Sequence, residues 1–396
     1  MAIIKHFLIL IVTCFTLSAG CLANDSVRVS LLTCSPGNEV YELYGHTAIR
    51  YCDLGEGVDM AFNYGMFSFN APNFVMRFVK GETDYQLGVV PFDLFMREYL
   101  GRGSTVTEQT LNLTDVEKQR LFELLKENYR FENRTYRYNF FYDNCTTRAR
   151  DKIEEAVDGR ITYAKLADGV TFRDIIHEFN GSNLWSRLGI DFCLGAGADE
   201  QISDRQKMFA PFYMLKAADR ATVTDSVGKK RSLVLATEVY SAEKSNGANA
   251  EMEGPFSFLE GPFFFSLLLL LLTAVMVVVG RKWNVALTVY EAMLFTLQAV
   301  AGCIVAFLFF FSSHPTVDTN WLVWVFNPLP FLFLILLIAG RRWTLRYHYV
   351  NMAVVGAFVA FFYFIPQKFG IEILFLAMNL LILSVNRVIT DGKKQK

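Results

Sequence analysis

The chain has 396 residues, and its 38 Lys and Arg against 39 Asp and Glu give a formal net charge of −1. No basic field is available for nucleic acid, which excludes that class of partner. Hydrophobic residues make up 53% of the chain, high for a soluble protein, and the excess lies at the start and beyond about Phe263.

The N-terminus has the form of a signal peptide: Lys5 and His6, an apolar run from Phe7 to Leu17, then small residues. Cleavage after Ala23 is the simplest reading, and lipidation at Cys21 is the alternative. Residues 24–240 then form an exported domain. Val27–Thr33, Thr47–Cys52, Asp59–Tyr64 and Thr105–Leu111 read as strands, while Asn73–Lys80 and Phe92–Leu100 read as short amphipathic helices. Thr114 with Glu117 three residues on is a capping box opening a helix to Tyr129. The helix Asn144–Val157 follows the aromatic run NFFYDNCTTRARD at 139–151.

That run carries the chemistry. A thiol in the first turn of a helix sits at the positive end of the helix dipole, which favours the nucleophilic thiolate. Cys145 holds that place. His46, in LYGHTAIRYCD, follows a Tyr-Gly turn into a strand. An isolated strand histidine is more often a packing residue. Here, though, strand histidine before helix cysteine is the order of circularly permuted papain-like thiol enzymes (the NlpC/LRAT-like arrangement). The residue orienting the imidazole belongs on the next strand, where Asn63 stands, with Asp53 as the alternative. The Cys145 N–H with Asn144 or Tyr142 offers an oxyanion site. Arg148 and Arg150 are by default solvated helix charges, and one is a candidate for substrate contact. Exported Cys34 and Cys52 flank neighbouring strands and are the better pair for a disulfide, whereas a Cys145–Cys193 bridge would rule out thiol catalysis. No cofactor or metal motif occurs.

Residues 241–262 read as a linker, and 263–396 as a helical membrane domain of about five spans: Phe263–Gly280, Val285–Phe311, Trp321–Gly340, Tyr349–Ile365 and Ile371–Val385. Arg281, Lys282, Arg341, Arg342, Arg346 and Arg387 fall on one side, which is the cytoplasmic side by the positive-inside rule. The exported domain then faces outward from a bacterial cytoplasmic membrane. Its candidate substrate contacts on the membrane side are His314, Asp318 and Asn320 in the basic-poor loop 312–320. Glu291 and Asn327 are polar groups within spans, serving function or helix packing.

TCSPGNEVYELYGHTAIRY, FNYGMFSF, EQTLNLT, NRTYRYNFFYDNCTTRARD and HPTVDTNWLVWVFNPLP occur in that order. Together they resemble the Lnb-type lipoprotein N-acyltransferases. The resemblance implies Cys145 as nucleophile and His46 as its base, with diacylglyceryl-modified lipoproteins and membrane lipid as partners. The implied reaction moves an acyl chain onto the N-terminal cysteine amine of a lipoprotein. The rival readings are a membrane-anchored cysteine amidase or peptidase acting on cell-wall peptides, and a non-catalytic membrane scaffold.

Overall fold

The structure is a computed structural model that describes residues 27–37, 39, 42–180, 183–241, 257–280, 282–332 and 341–392. The signal sequence, Cys21 and most of the expected linker lie outside the described residues.

Alternating apolar residues build the first hairpin, β1 (Val27–Cys34) and β2 (His46–Asp53), followed by β3 (Val58–Met66). Helix α1 (Phe74–Lys80) leads to β4 (Asp84–Pro91), α2 (Phe92–Gly101), β5 (Val106–Leu111) and α3 (Asp115–Tyr129). β6 (Thr135–Arg137) precedes the cysteine helix α4 (Cys145–Ala156). With β10 (Val234–Tyr240) these strands form a seven-stranded antiparallel sheet ordered β10-β5-β1-β2-β3-β4-β6. Between them, β7 (Arg160–Thr162), β8 (Thr222–Thr224) and β9 (Lys230–Ser232) make a small second sheet. Helices α5 (Phe172–Phe179), α6 (Leu184–Cys193) and α7 (Pro211–Asp219) cover the end of the domain.

Period-two alternation divides the side chains between two layers. Leu31, Ile49, Tyr51, Phe62 and Tyr64 pack with Leu121 and Leu125 of α3 and with Ala149 and Ile153 of α4. Leu32, Cys34, Ala48 and Ala61 on the other face meet Phe95 and Tyr99 of α2. Thr114 accepts from the Glu117 N–H while Glu117 accepts from the Thr114 N–H, closing the expected capping box. Such a cap stabilises a helix by about 1 kcal/mol.

The hairpin register corrects one expectation. Cys34 lies opposite His46 and Cys52 opposite Arg28, at the two ends of β1. About six residues at 3.4 Å each hold the thiols roughly 20 Å apart, far beyond disulfide reach. Cys34, Cys52, Cys145, Cys193 and Cys303 are all free.

In the membrane half, α8 (Pro262–Val279), α9 (Asn284–Phe311) and α11 (Ile371–Gly392) hold apolar stretches long enough to cross a bilayer, so that three of the five expected spans are membrane-length helices among the described residues. The third expected span opens as a 3-10 turn at Trp321–Trp324, and its residues 333–340 lie outside the described set. The fourth belongs to α10 (Arg341–Ala360), whose opening turns carry Arg341, Arg342 and Arg346 and suit a headgroup layer better than hydrocarbon. Glu291 of α9 is buried and paired with Arg387 of α11 at 2.6 Å, so its polar group joins helix to helix. Asn327 bonds the backbone of Trp324 and Leu329.

Every segment expected to face outward meets the N-terminal domain. Glu260 O accepts from Trp185 Nε1, Thr316 O accepts from Gly195 N–H, and Gln367 Nε2 donates to Leu194 O. Lys368 pairs with Asp174 at 3.0 Å.

Candidate active site

The site forms where the two layers of the N-terminal domain meet at the last residues of β3. His46 opens β2 on the α2 face, and its ring stacks on Tyr99 with 6.0 Å between centroids and 14° between planes. Cys145 opens α4 on the opposite face of the sheet. They meet at Gly65, where a Cβ would lie 3.8 Å from Cys145 Cβ and 4.0 Å from His46 Cε1. Gly65 has φ +88° and sits in a register shift between Asn63 and Met66. A glycine there admits the left-handed backbone of the bulge and keeps the space before the thiol open.

The first turn of α4 is fixed with few degrees of freedom left. Asn144 Oδ1 accepts from the N–H groups of Thr146 and Thr147, both at 2.9 Å. Its Nδ2 donates to Phe140 O and Phe209 O. Thr147 Oγ1 accepts from the Asn144 N–H, completing the box. Thr146 Oγ1 lies 3.0 Å from Thr47 Oγ1, tying the helix start to β2 one residue past His46.

The electrostatics distinguish Cys145 from its neighbours. Burial pushes its thiol up, but the His46 charge, a His46 hydrogen bond and the Thr47 N–H bring it below the ordinary value. Burial lowers His46, and the Cys145 charge, its hydrogen bond and Asn63 together raise the imidazole above 6.5. These opposite shifts favour the thiolate–imidazolium pair. Burial raises Cys34 and Cys52 and takes Cys193 to about 11, so these thiols stay protonated.

Asn63, buried on β3, accepts a hydrogen bond from His46 Nε2 through its Oδ1. This leaves Nδ1 as the ring nitrogen to face the thiol. Asp53 is elsewhere: at the far end of β2 its carboxylate accepts from the N–H groups of Gly55 and Glu56.

The other expected residues have different surroundings. The Asn144 amide is used in the cap on both its oxygen and its nitrogen, leaving it no hand for an oxyanion. Tyr142 is half exposed, its ring edge-on to Phe172. Arg148 grips Asp143 through Nε and Nη2 at 2.6 and 2.8 Å and lies over the Tyr136 ring. Arg150 pairs with Asp151 and donates to Arg205 O. On the membrane side, His314 Nε2 donates to Phe78 O at 2.6 Å. Asn320 donates to Phe192 O and accepts from Leu322 N–H, while Asp318 is exposed. His314 and Asn320 thus bond the N-terminal domain at the joint between the two halves. Gly65, Thr47, Thr146 and Tyr99 were not singled out from the sequence. Only Gly65 carries a local signal, in Asn-Tyr-Gly after an alternating strand. Among the described residues no cluster of His, Cys, Asp and Glu could hold a metal ion.

Two family models match the chain: the Lnb N-terminal periplasmic domain over residues 20–178, and the Lnb transmembrane domain, labelled as five transmembrane helices, over residues 255–395. The chain belongs to the Lnb family. Comparison with curated proteins and with solved structures returned no match. Lnb is a lipoprotein N-acylation family, and both Lnb domains occur here in order. This Lnb chain therefore has a periplasmic N-terminal domain followed by a multi-span membrane domain. His46, Asn63 and Cys145 all lie within the periplasmic Lnb match.

The hydrogen bond to Asn63 makes a testable contribution. Asn63→Ala is expected to lower kcat/KM by about 100-fold, an effect of orientation on the base. Asn63 helps hold His46 above its ordinary value. Without it the imidazolium is lost at lower pH, so the alkaline limb of the kcat/KM profile moves down. A profile that falls in height with its limbs unmoved would show that Asn63 does not act through His46.

Proposed function

We propose that this protein is a cysteine-dependent acyltransferase that moves a fatty acyl chain to the N-terminal cysteine amine of bacterial lipoproteins. The donor is a diacylglyceryl or phospholipid ester, and the intermediate is a thioester on Cys145. The fold is read as a permuted papain-like thiol domain, from the order of strand histidine and helix cysteine. The observation that carries the reading is Cys145 at the first turn of α4 with its thiol lowered beside His46, in a domain seated on membrane spans.

His46 Nδ1 takes the thiol proton, and Sγ attacks the ester carbonyl. The developing oxyanion faces the Cys145 N–H, the first-turn donor that the Asn144 cap leaves over. The ester C–O bond breaks, and imidazolium protonates the departing alkoxide, releasing the alcohol of the donor lipid. The lipoprotein amine then attacks the thioester, His46 accepts its proton and returns it to the leaving thiolate. The product is an amide and the free enzyme. A site next to the bilayer limits the water that would hydrolyse the thioester.

The test is direct. Purified enzyme given a diacylglyceryl lipopeptide with a free N-terminal amine should yield the N-acylated peptide by mass spectrometry, and the N-acetylated control should not react. Cleavage of a peptidoglycan fragment with the lipopeptide untouched would move the assignment to a cell-wall hydrolase.

A further inference from the structure

Residues 66–80, between the site and the membrane domain, leave several large apolar side chains exposed. Phe69 is 63% exposed, Val75 74% and Met76 53%, a local excess of exposed apolar side chains. The position of α1 is set by the membrane domain. The last carbonyls of a helix lack partners within it, and here the outer loop supplies them: Ser312 Oγ donates to Val79 O, the Ser313 N–H to Lys80 O and His314 to Phe78 O. Gly81 permits this approach, since a Cβ there would stand 2.8 Å from Ser313 Oγ. The loop begins one residue after α9 ends, where Phe310 and Phe311 are 67% and 68% exposed to the surroundings of the span. Trp321, Trp324 and Tyr363, also exposed, flank the outer loops as a belt typical of the membrane interface. Helix α1 is thus held beside the outward end of α9.

From this helix a chain of aromatic rings leads back to the thiol. Phe78, Phe74, Phe67, Tyr85 and Tyr138 follow one another at centroid spacings of 6.1, 5.7, 4.8 and 4.2 Å. Their planes are within about 22° of parallel at each step. Phe67 is two residues beyond Gly65, which faces Cys145 and His46. Tyr138 packs on the same core cluster as Cys145. Its phenol is raised by burial first and then by the Cys145 charge.

We propose that α1 and its preceding loop are immersed in the outer leaflet, and that the rings from Phe78 to Tyr138 form the wall along which a lipid acyl chain reaches Cys145. The occupant of the exposed patch is bilayer lipid. The second half of the proposal rests on the acyltransfer reading above, whereas the immersion does not.

Two experiments separate the halves. A photo-crosslinking p-benzoylphenylalanine placed at Val75 in the full chain in native membranes should capture phospholipid, and one at Val227, 90% exposed in the turn between β8 and β9, should not. A protein adduct at Val75, or none while the same group at Val278 of α8 captures lipid, would overturn immersion. For the path, Phe67→Ala should reduce the ratio of kcat/KM for long against short acyl donors tenfold or more. An unchanged ratio in a protein that still melts as wild type would overturn the wall. Lipid capture at Val75 with no acyl transfer to any lipopeptide would leave immersion standing and remove the reaction it was joined to.

Discussion

Cys145→Ala and His46→Ala are each expected to abolish acyl transfer, a fall of at least about 10⁴-fold, while expression and membrane insertion stay at wild-type levels. The two residues act as a unit, so the double variant should be no worse than either single one. The alanine at 145 keeps the Asn144 cap, whose bonds go to the N–H groups of Thr146 and Thr147 and not to the thiol. Folding therefore survives. Cys145→Ser should be nearly as inactive, because a hydroxyl beside His46 gains nothing comparable to the lowering seen for the thiol. The pH profile of the wild type carries the same argument. Its acid limb should fall below the ordinary thiol value of 9.0 and its alkaline limb above the ordinary imidazole value of 6.5, since Cys145 is lowered and His46 raised. Wild-type turnover by Cys145→Ala would end the thiol mechanism.

The second large effect is on stability. Arg173 of α5 is fully buried and donates to Asp191 at 2.6 Å, to Asp199 at 2.9 Å and to the carbonyls of Leu194 and Gly195. Those carbonyl residues are themselves joints: the Gly195 N–H donates to Thr316 O and Leu194 O accepts from Gln367. Arg173→Ala would leave two carboxylates without their shared cation, costing about 3–5 kcal/mol. It should also loosen the periplasmic domain from the outer loops. Thermal scans of the protein in nanodiscs are expected to show a midpoint lower by roughly 10 °C. Arg173→Lys should recover little, because one ammonium cannot reach two carboxylates and two carbonyls in a plane. A midpoint within about 1 °C of wild type would contradict this role.

Local chemistry was readable along the chain, and long-range accommodation was not. Strands β1, β2, β3 and β5 follow period-two alternation, and the Thr114–Glu117 box marks the start of α3. β4 escaped notice because Gly88 and Pro91 dilute its pattern, although it pairs with β3 along most of its length. β10 lies at the sheet edge with Leu235 and Val239 facing out, so its apolar residues do not report a buried face. The proximity of His46, Asn63 and Cys145 was legible from their order on successive elements. The bulge that opens Gly65 between them was not, since a register shift depends on the partner strand. The disulfide expectation failed for the same reason: the strands of Cys34 and Cys52 are neighbours, but antiparallel pairing puts the thiols at opposite ends. The joints between the domains have no sequence signature, because Ser312, Ser313, Asn320 and Gln367 bond mainly to backbone atoms. Three of the five expected spans are membrane-length helices among the described residues, and the matching transmembrane family model is labelled as five helices.

The central claim is that Cys145 carries the acyl chain between donor and amine. It is tested most directly by intact-protein and peptide mass spectrometry after brief reaction with a diacylglyceryl lipopeptide, followed by quenching at low pH. There the acceptor amine is protonated and the thioester persists. The account predicts one acyl mass on the peptide containing Cys145, removed by neutral hydroxylamine and absent from Cys145→Ala. Amide-linked product formed at full rate with no acyl group on Cys145 at any time would contradict it.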